Sequence, residues 1–584
     1  MNNNRLLTLF TTATVTAVAM IACNHKASAD KPQSNGSATA ISNIAVDPPT
    51  VFNDSNLDEQ AGIWADSVMK TLDLRRRIAQ LFVPRLDITN NATGYQKLKR
   101  VISQEKMGGF LLGKGSLECY ADLINKGQAQ AEVPLLITLD GEWGLSMRIP
   151  GTPRFPHNIA LGAADDEALM EAYGEEMARE CRLMGIQVNF APDLDVNANP
   201  NNPVIGYRSY GENPQMVGRL GVAYCRGMAK GGVMPVGKHF PGHGDTSVDS
   251  HKALPTIDHS ISTLRNVDLR PFIMAVNAGM PAVMVGHLKV PALDKSGTPA
   301  SLSRAITTSW LRDSLGFDGL IFTDALAMKG ATVKNENNCV SAFLAGADVL
   351  LGSSAPVSDL NAVEAAVKAG KIDKSEIDRR CRDLLKYKYK LGLNKKPRID
   401  VKGLSARLNT THADSIISQM SRKVLTLLKN DGNTMPVKAE SPKKRVVVVN
   451  LGMKGIDDFG KRCTALSDAK VYNVDAAIVP AEIMKAVKNA DVAIVAVYNN
   501  TDKTLHAFKS IGAERECIGV FFINPYKMTK FDRLESLQSM LLAYDDIPQL
   551  RLAAADAVFG LQPITGKLPV NLPGIADLNA GLRL

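Results

Sequence analysis

The chain has 584 residues, 45% of them hydrophobic and 22% charged, which excludes a disordered or fibrous protein and calls for two or three domains. A formal charge of +9 is diluted over this length, with short runs such as "LRRRI" and "SPKKR", and describes a solvated surface rather than a nucleic-acid groove. Beyond Cys23 the cysteines are Cys119, Cys181, Cys225, Cys339, Cys381, Cys463 and Cys517, widely spaced and without a CxxC pair, so neither a disulfide framework nor a zinc-thiolate site is expected.

The first 23 residues, "MNNNRLLTLFTTATVTAVAMIAC", combine a short polar start, one arginine and an apolar run too short to span a bilayer. This is the pattern of an export signal. Its ending, Ile21-Ala22-Cys23, resembles the lipobox of bacterial lipoproteins, in which cleavage precedes a lipidated cysteine; Met20 stands where leucine is commoner. Lipidation at Cys23 would anchor an exported protein to a membrane, facing the periplasm or the cell surface; plain secretion is the alternative. Residues 24–55 are polar and poor in large apolar groups, as a flexible tether should be.

From 56 to 395, short apolar runs alternate with amphipathic stretches. The predicted strands are "AQLFVPRL", "GGFLLGKG", "PLLITLDGE", "VNFAPDLDV", "VMPVGKHFPG", "AVMVGHLKV", "GLIFTDAL" and "ADVLLGSS". Eight strand–helix repeats predict a (β/α)8 barrel of the TIM type. Polar residues recur where these strands end: Asp140, Asp193, Asp195, His239, His287 and Asp324. Burying charge is unfavourable unless it is paired or used, and barrel active sites lie at strand C-termini, so this recurrence points to function. Residues 396–442 read as a linker containing a helix around "ADSIISQMSRKVLTLLKN". Over 443–584 the runs "RVVVVNLG", "DVAIVAVY", "CIGVFFIN" and "SMLLAYDD" predict a second, α/β sandwich domain with a parallel sheet. It carries no GxGxxG or Walker loop.

Three of the nine histidines fall in "KHFPGHGDTSVDSH", residues 238–251. A metal cluster, a catalytic loop and a polar turn all remain open on this stretch alone. His239 and His243 would share a face only on a helix, which the intervening proline and glycines forbid. Asp249 and His251, two apart in a loop, can face one way, and an aspartate bonded to one imidazole nitrogen leaves the other free to carry a proton. Gly242 and Gly244 permit such a loop. Asp324, just past its strand, can be a nucleophile, a metal ligand or a helix cap, the cap being the default for an aspartate that opens a helix.

These stretches resemble glycoside hydrolase family 3, in its β-N-acetylglucosaminidase (β-hexosaminidase) branch. "KHFPGHGDTSVDSH" matches the form KHFPGHG-x4-DSH, "GLIFTDALAMKGA" the nucleophile segment, and "LITLDGEWGLSMR" a substrate-binding turn usually written D-x-E-G-G. "APDLDVNANPNNPVIGYRSYGE" resembles the stretch before a ligand-binding arginine, and the C-terminal half resembles the α/β sandwich of two-domain members. The resemblance implies a retaining exo-β-N-acetylglucosaminidase without metal or cofactor. Asp324 would be the nucleophile, His251 the general acid/base and Asp249 its dyad partner. Asp140, Arg148, Arg208, Lys238 and His239 would bind the sugar. The substrate would be a GlcNAc-containing glycan, peptidoglycan fragments (GlcNAc-MurNAc muropeptides) foremost, with no nucleic-acid partner. A β-glucosidase or β-xylosidase of the same family, or a non-catalytic glycan-binding lipoprotein, is the alternative. Trp143 replaces the first glycine of the usual pair and is either a stacking ring or a core aromatic; His243 has no assigned role.

Overall fold

The computed structural model describes residues 50–87, 91–249, 253–333, 336–438, 444–455 and 457–584. The expected export signal, the lipidation site Cys23 and most of the tether lie outside them. Among the described residues no helix is long and apolar enough to cross a membrane.

All eight predicted barrel strands form. The first, Phe82–Val83 with Arg85–Leu86, is interrupted at Pro84, which has no N–H to donate. Its neighbours are Gly109–Leu112, Leu136–Leu139, Val188–Asn189 and Met234–Pro235, paired in parallel in that order. Gly237–Phe240, Ala282–Val285 and Leu320–Thr323 continue in parallel, joined to the first set by a bridge between Asp193 and Lys238. Leu350–Leu351 pairs with Phe82–Val83 and closes the ring. Strands covered on both sides read as continuous apolar runs, and Leu136–Leu139 (LITL) and Leu320–Thr323 (LIFT) are buried throughout.

Two long helices between strands start on side-chain caps. Asp166 accepts from the Leu169 amide to open Glu167–Leu183, and Asn213 accepts from the Gln215 and Met216 amides to open Pro214–Lys230, which has its proline in the first turn. The last barrel helix, Lys374–Lys390, sends Lys388 into the floor of the barrel. There its Nζ donates to Gln80 Oε1 at 2.8 Å and to the carbonyls of Gly108 at 2.7 Å and Pro134 at 2.8 Å, just before three strands begin. Lys388 is 0% exposed and has three neutral acceptors, and burial pulls its ammonium down to about 7.

The second domain is a six-stranded sheet in the order Thr426–Asn430, Leu537–Leu542, Cys517–Phe521, Val492–Val497, Val446–Leu451, Lys470–Val474. Only the first pair is antiparallel. Helices such as Asp502–Glu514 and Pro548–Val558 complete the sandwich. Two of these strands are additions to the sequence reading. The helix expected around 413–430 ends at Val424, and "TLLKN" becomes the edge strand Thr426–Asn430, so the expected 396–442 linker contains part of the second sheet. Lys470–Val474 is the opposite edge and only its last residue is buried, which is why no apolar run announced it.

The two domains are stitched together directly. Glu212 N donates to Pro569 O at 3.0 Å and Lys567 N to Ala163 O at 3.0 Å. Arg154 forks onto Asp545 at 2.9 and 3.1 Å, and Asn197 Nδ2 donates to Tyr526 OH at 2.6 Å. The seven described cysteines are all buried and unpaired.

Candidate active site

Six of the predicted sugar-binding and catalytic residues, Asp140, Arg148, Arg208, Lys238, His239 and Asp324, converge at the C-terminal end of the barrel. Asp140 follows Leu136–Leu139. Its Oδ2 accepts from Arg148 Nη2 at 2.9 Å and its Oδ1 from Lys238 Nζ at 3.0 Å. Burial pushes this carboxyl up, but Lys238 and Arg148 outweigh it and hold it at about 2. The turn that presents Asp140 is fixed from beneath by Asn189, whose Oδ1 accepts from Gly141 N at 2.9 Å and whose Nδ2 donates to Gly141 O at 3.2 Å.

Two positions further on, Glu142 is the residue that sequence reasoning left without a role. Only 2% exposed, it receives Arg208 through Nε at 2.9 Å and Nη2 at 2.8 Å, and Lys238 Nζ lies 2.7 Å from its Oε1. Burial opposes its ionisation, yet Arg208 and Lys238 hold it well below the usual carboxylate range. Lys238, 1% exposed, thus spans Asp140 and Glu142, which keep its ammonium charged against burial. A signal was present in the sequence: Glu142 is the E of the turn written D-x-E-G-G, two positions after the expected sugar-binding Asp140. Three cations and two carboxylates leave donor capacity unspent. Arg148 Nε is buried with no hydrogen-bond partner, a donor suited to a sugar oxygen.

His239 is oriented by Asp195, whose Oδ2 lies 2.7 Å from Nδ1 and which also accepts from the backbone amides of His239 at 3.2 Å and His243 at 2.6 Å. Burial and the Arg208 guanidinium, 3.3 Å from Nε2, hold the His239 imidazole at about 4. Asp195 was noted as a strand-end carboxylate, and its part here is to organise the histidine stretch. Asp193 beside it is pushed well up by burial and by Asp195. One ligand atom each of Asp193, Asp195 and His239 lies within 4.8 Å of the others, the spacing of a metal site. Arg208 already serves as the cation there, 3.7 Å from Asp193, and His239 Nδ1 is engaged by Asp195, so the donor set does not suit an added ion.

The loop after Phe240 turns at Gly242, whose φ of +124° is one that side chains rarely adopt, and then runs against the barrel at Gly244, where a Cβ would sit 1.6 Å from Val196 O. His243, held at about 3 by burial and by His239, has Nδ1 3.0 Å from Thr246 Oγ1. Asn202 Nδ2 donates to His243 O at 2.9 Å and Gly244 O at 3.0 Å, fastening this loop to the segment that leads to Arg208. Asp249 ends the described part of the loop, and its carbonyl accepts from Ala253 N at 3.1 Å. His251 lies outside the described residues, so the expected Asp249–His251 pair is seen at one end only.

Asp324 follows Leu320–Thr323, with its amide bonded to Val285 O at 2.9 Å and its Oδ1 accepting from Ala325 N at 2.6 Å. Burial raises this carboxyl, but His287, His239 and the Ala325 amide together bring it below its ordinary value. No regular helix follows: the next is Asn338–Ala345, capped by Asn337, so Asp324 is not a helix cap.

A barrel closed by eight parallel strands, with buried carboxylates, cations and histidines at their C-terminal ends, is the arrangement of a barrel enzyme's active-site face. The chain belongs to glycoside hydrolase family 3: the family model for the glycosyl hydrolase family 3 N-terminal domain matches residues 73–387. It is 36% identical over 281 residues to "Beta-hexosaminidase A" of Pseudoalteromonas piscicida, over 44% of this chain and 47% of that protein, so it spans about half the length of that relative. It is 34% identical over 263 residues to a beta-hexosaminidase of Idiomarina loihiensis, over 43% of this chain and 78% of the relative. Among solved structures it resembles a glycoside hydrolase family 3 beta-N-acetylglucosaminidase from Paenibacillus sp., with a TM-score of 0.75 and 30% identity over 86% of this chain and 99% of that one. A beta-glucoside phosphorylase, BglX, matches with a TM-score of 0.78 at 20% identity over 90% of this chain and 98% of the other, a likeness of fold alone.

Proposed function

We propose that this chain hydrolyses terminal β-linked N-acetylglucosamine with retention of configuration, acting on peptidoglycan fragments in which GlcNAc is joined to MurNAc. The observation that carries the reading is Asp324, an ionised carboxylate at a barrel strand end with one oxygen occupied by the Ala325 amide. Its Oδ2 attacks the anomeric carbon while the glycosidic C–O bond breaks, giving a covalent glycosyl-aspartate. His251 gives its proton to the departing oxygen, then takes one from the water that cleaves the intermediate; Asp249 holds the imidazole. Asp140, Arg148, Arg208, Lys238 and His239 hold the hydroxyls and the acetamido oxygen, and Glu142 fixes the aim of two of these cations. An export signal with lipidation at Cys23 would place the enzyme at the cell envelope, where wall fragments are at hand.

Digestion of purified muropeptides beside chitobiose and aryl glycosides, read by mass spectrometry, tests this. GlcNAc should be released by the wild type and by no Asp324→Ala preparation. Near-normal turnover in Asp324→Ala removes Asp324 as nucleophile. An aryl β-glucoside cleaved far faster than the aryl β-GlcNAc makes the enzyme a glucosidase instead, and GlcNAc oligosaccharides bound without turnover make it a binding protein.

A further inference from the structure

The segment after Asp324 runs in turns rather than a helix, yet it is tied down from both sides. From the sixth strand, Val285 O accepts from Asp324 N at 2.9 Å. From the eighth, Leu351 O accepts from Leu326 N at 3.0 Å and Gly352 O from Ala327 N at 3.1 Å. One side chain adds to these backbone bonds. His287, two residues past the strand Ala282–Val285, has its Nε2 3.0 Å from Ala325 O and its Nδ1 2.6 Å from Ser301 Oγ. Ring and hydroxyl are both buried, at 0% and 1% exposure.

A carbonyl oxygen only accepts, so Nε2 carries the hydrogen and donates it to Ala325 O. In the neutral ring Nδ1 is then the acceptor, and the Ser301 hydroxyl donates to it. Ser301 is itself pinned beside His287: its amide donates to Gly286 O at 3.2 Å, and Ala300 N donates to Leu288 O at 2.8 Å. The peptide joining Ala325 to Leu326 is therefore held at both ends, its oxygen by His287 and its N–H by Leu351. Ala325 is fixed by this, and its own amide donates to Asp324 Oδ1 at 2.6 Å. Burial pushes the Asp324 carboxyl up; His287 leads the groups that bring it down, ahead of His239, the Ala325 amide and Lys238. His243 faces the same carboxylate.

We propose that His287 is the positioning residue of the nucleophile. Clamped by Ser301, it holds Ala325 so that the Ala325 amide keeps Asp324 Oδ1 and leaves Oδ2 aimed at the anomeric carbon. At 0% exposure the ring acts through Asp324 rather than on the sugar. The inference rests on the hydrolytic reading above, in which Asp324 attacks.

The test follows wild type, His287→Leu, His287→Gln and Ser301→Ala on an aryl β-GlcNAc, with inhibition by free GlcNAc measured beside turnover. His287→Leu removes both bonds, whereas His287→Gln keeps an amide donor within reach of Ala325 O. His287→Leu should lose roughly thirtyfold in kcat, because a small misalignment of an attacking group is enough for that. The Ki for GlcNAc should stay within about twofold, since the residues that grip the sugar are untouched. His287→Gln should recover most of the loss. Activity falls as pH drops through the Asp324 carboxyl, so His287→Leu should also move the acid limb of kcat/KM to higher pH; an unfolded fraction lowers the profile without moving that limb. If His287→Leu does not fold, Ser301→Ala carries the test, with a loss of about fivefold in kcat at unchanged Ki. A folded His287→Leu with wild-type kcat, an acid limb that stays in place, a Ki that weakens as much as kcat falls, or a His287→Gln as impaired as His287→Leu overturns the positioning role and leaves hydrolysis standing. So does a wild-type kcat in Ser301→Ala when that variant carries the test. A wild type that releases no GlcNAc, or an Asp324→Ala that turns over normally, overturns the hydrolytic reading and this inference with it.

Discussion

Replacing Glu142 by glutamine keeps the shape of the side chain and removes its charge. In the wild type that carboxylate takes three contacts with two cations, at 2.7, 2.8 and 2.9 Å, behind 2% exposure. Removing one member of a buried ion pair costs about 3–5 kcal/mol because the partner charge is left behind. The amide oxygen of the introduced glutamine still accepts one bond, which places the change near the lower end, about 3 kcal/mol. Arg208 also loses the forked partner that aims it, and its alternative anion, Asp193, is 3.7 Å away and pushed toward its neutral form. The same energy expressed in the transition state corresponds to about a hundredfold in kcat/KM. Urea unfolding and kcat/KM on an aryl β-GlcNAc, measured together, check both. Glu142→Asp, which keeps the charge on a shorter stem, should fall between. A Glu142→Gln protein with a wild-type unfolding midpoint and kcat/KM within about twofold of wild type would refute the claim that this carboxylate sets the sugar grip.

His251→Ala should slow substrates with poor leaving groups far more than nitrophenyl glycosides, which need little protonation; equal losses across leaving groups argue against the acid role. Lys388 carries a proton in the unfolded chain up to its ordinary value of 10.5 but in the fold only to about 7. Between these values the unfolded state binds more protons, so this group makes stability rise with pH. The gain in unfolding midpoint from about pH 7 to about pH 9.5 should accordingly be larger in wild type than in Lys388→Met, and identical gains would show that the amine does not titrate there. Cys23→Ser should move the protein from the membrane to the soluble fraction, whereas unchanged membrane association would refute the anchor.

The barrel was legible because each of its strands is a short apolar run, five of them ending in polar residues, and the order of those runs is the order of the ring. The two strands that escaped are edges. Lys470–Val474 shows mostly half-buried residues, and Thr426–Asn430 follows a helix with only one residue between, so its periodicity merges with the helix. In the site, Asp140, Arg148, Arg208, Lys238 and His239 lie in one bonded cluster. Glu142 and Asp195 were visible as letters but not as partners, because what they do is bind other side chains, and that depends on distances between separate strands. Asp545 lies beyond any local pattern, being paired with His157 from 388 positions away.

The same long spans bear on the birth of the molecule. Synthesis releases the barrel sequence first, yet the amide that aims the Arg208 turn, Gly206 N on Asn197 Oδ1, belongs to a knot closed by Tyr526, and the His157 ring awaits Asp545. Contacts of such separation form late, after local helices and neighbouring strands. The rim of the cleft is thus expected to mature last, leaving a nascent chain idle toward glycans until its tail has arrived and docked.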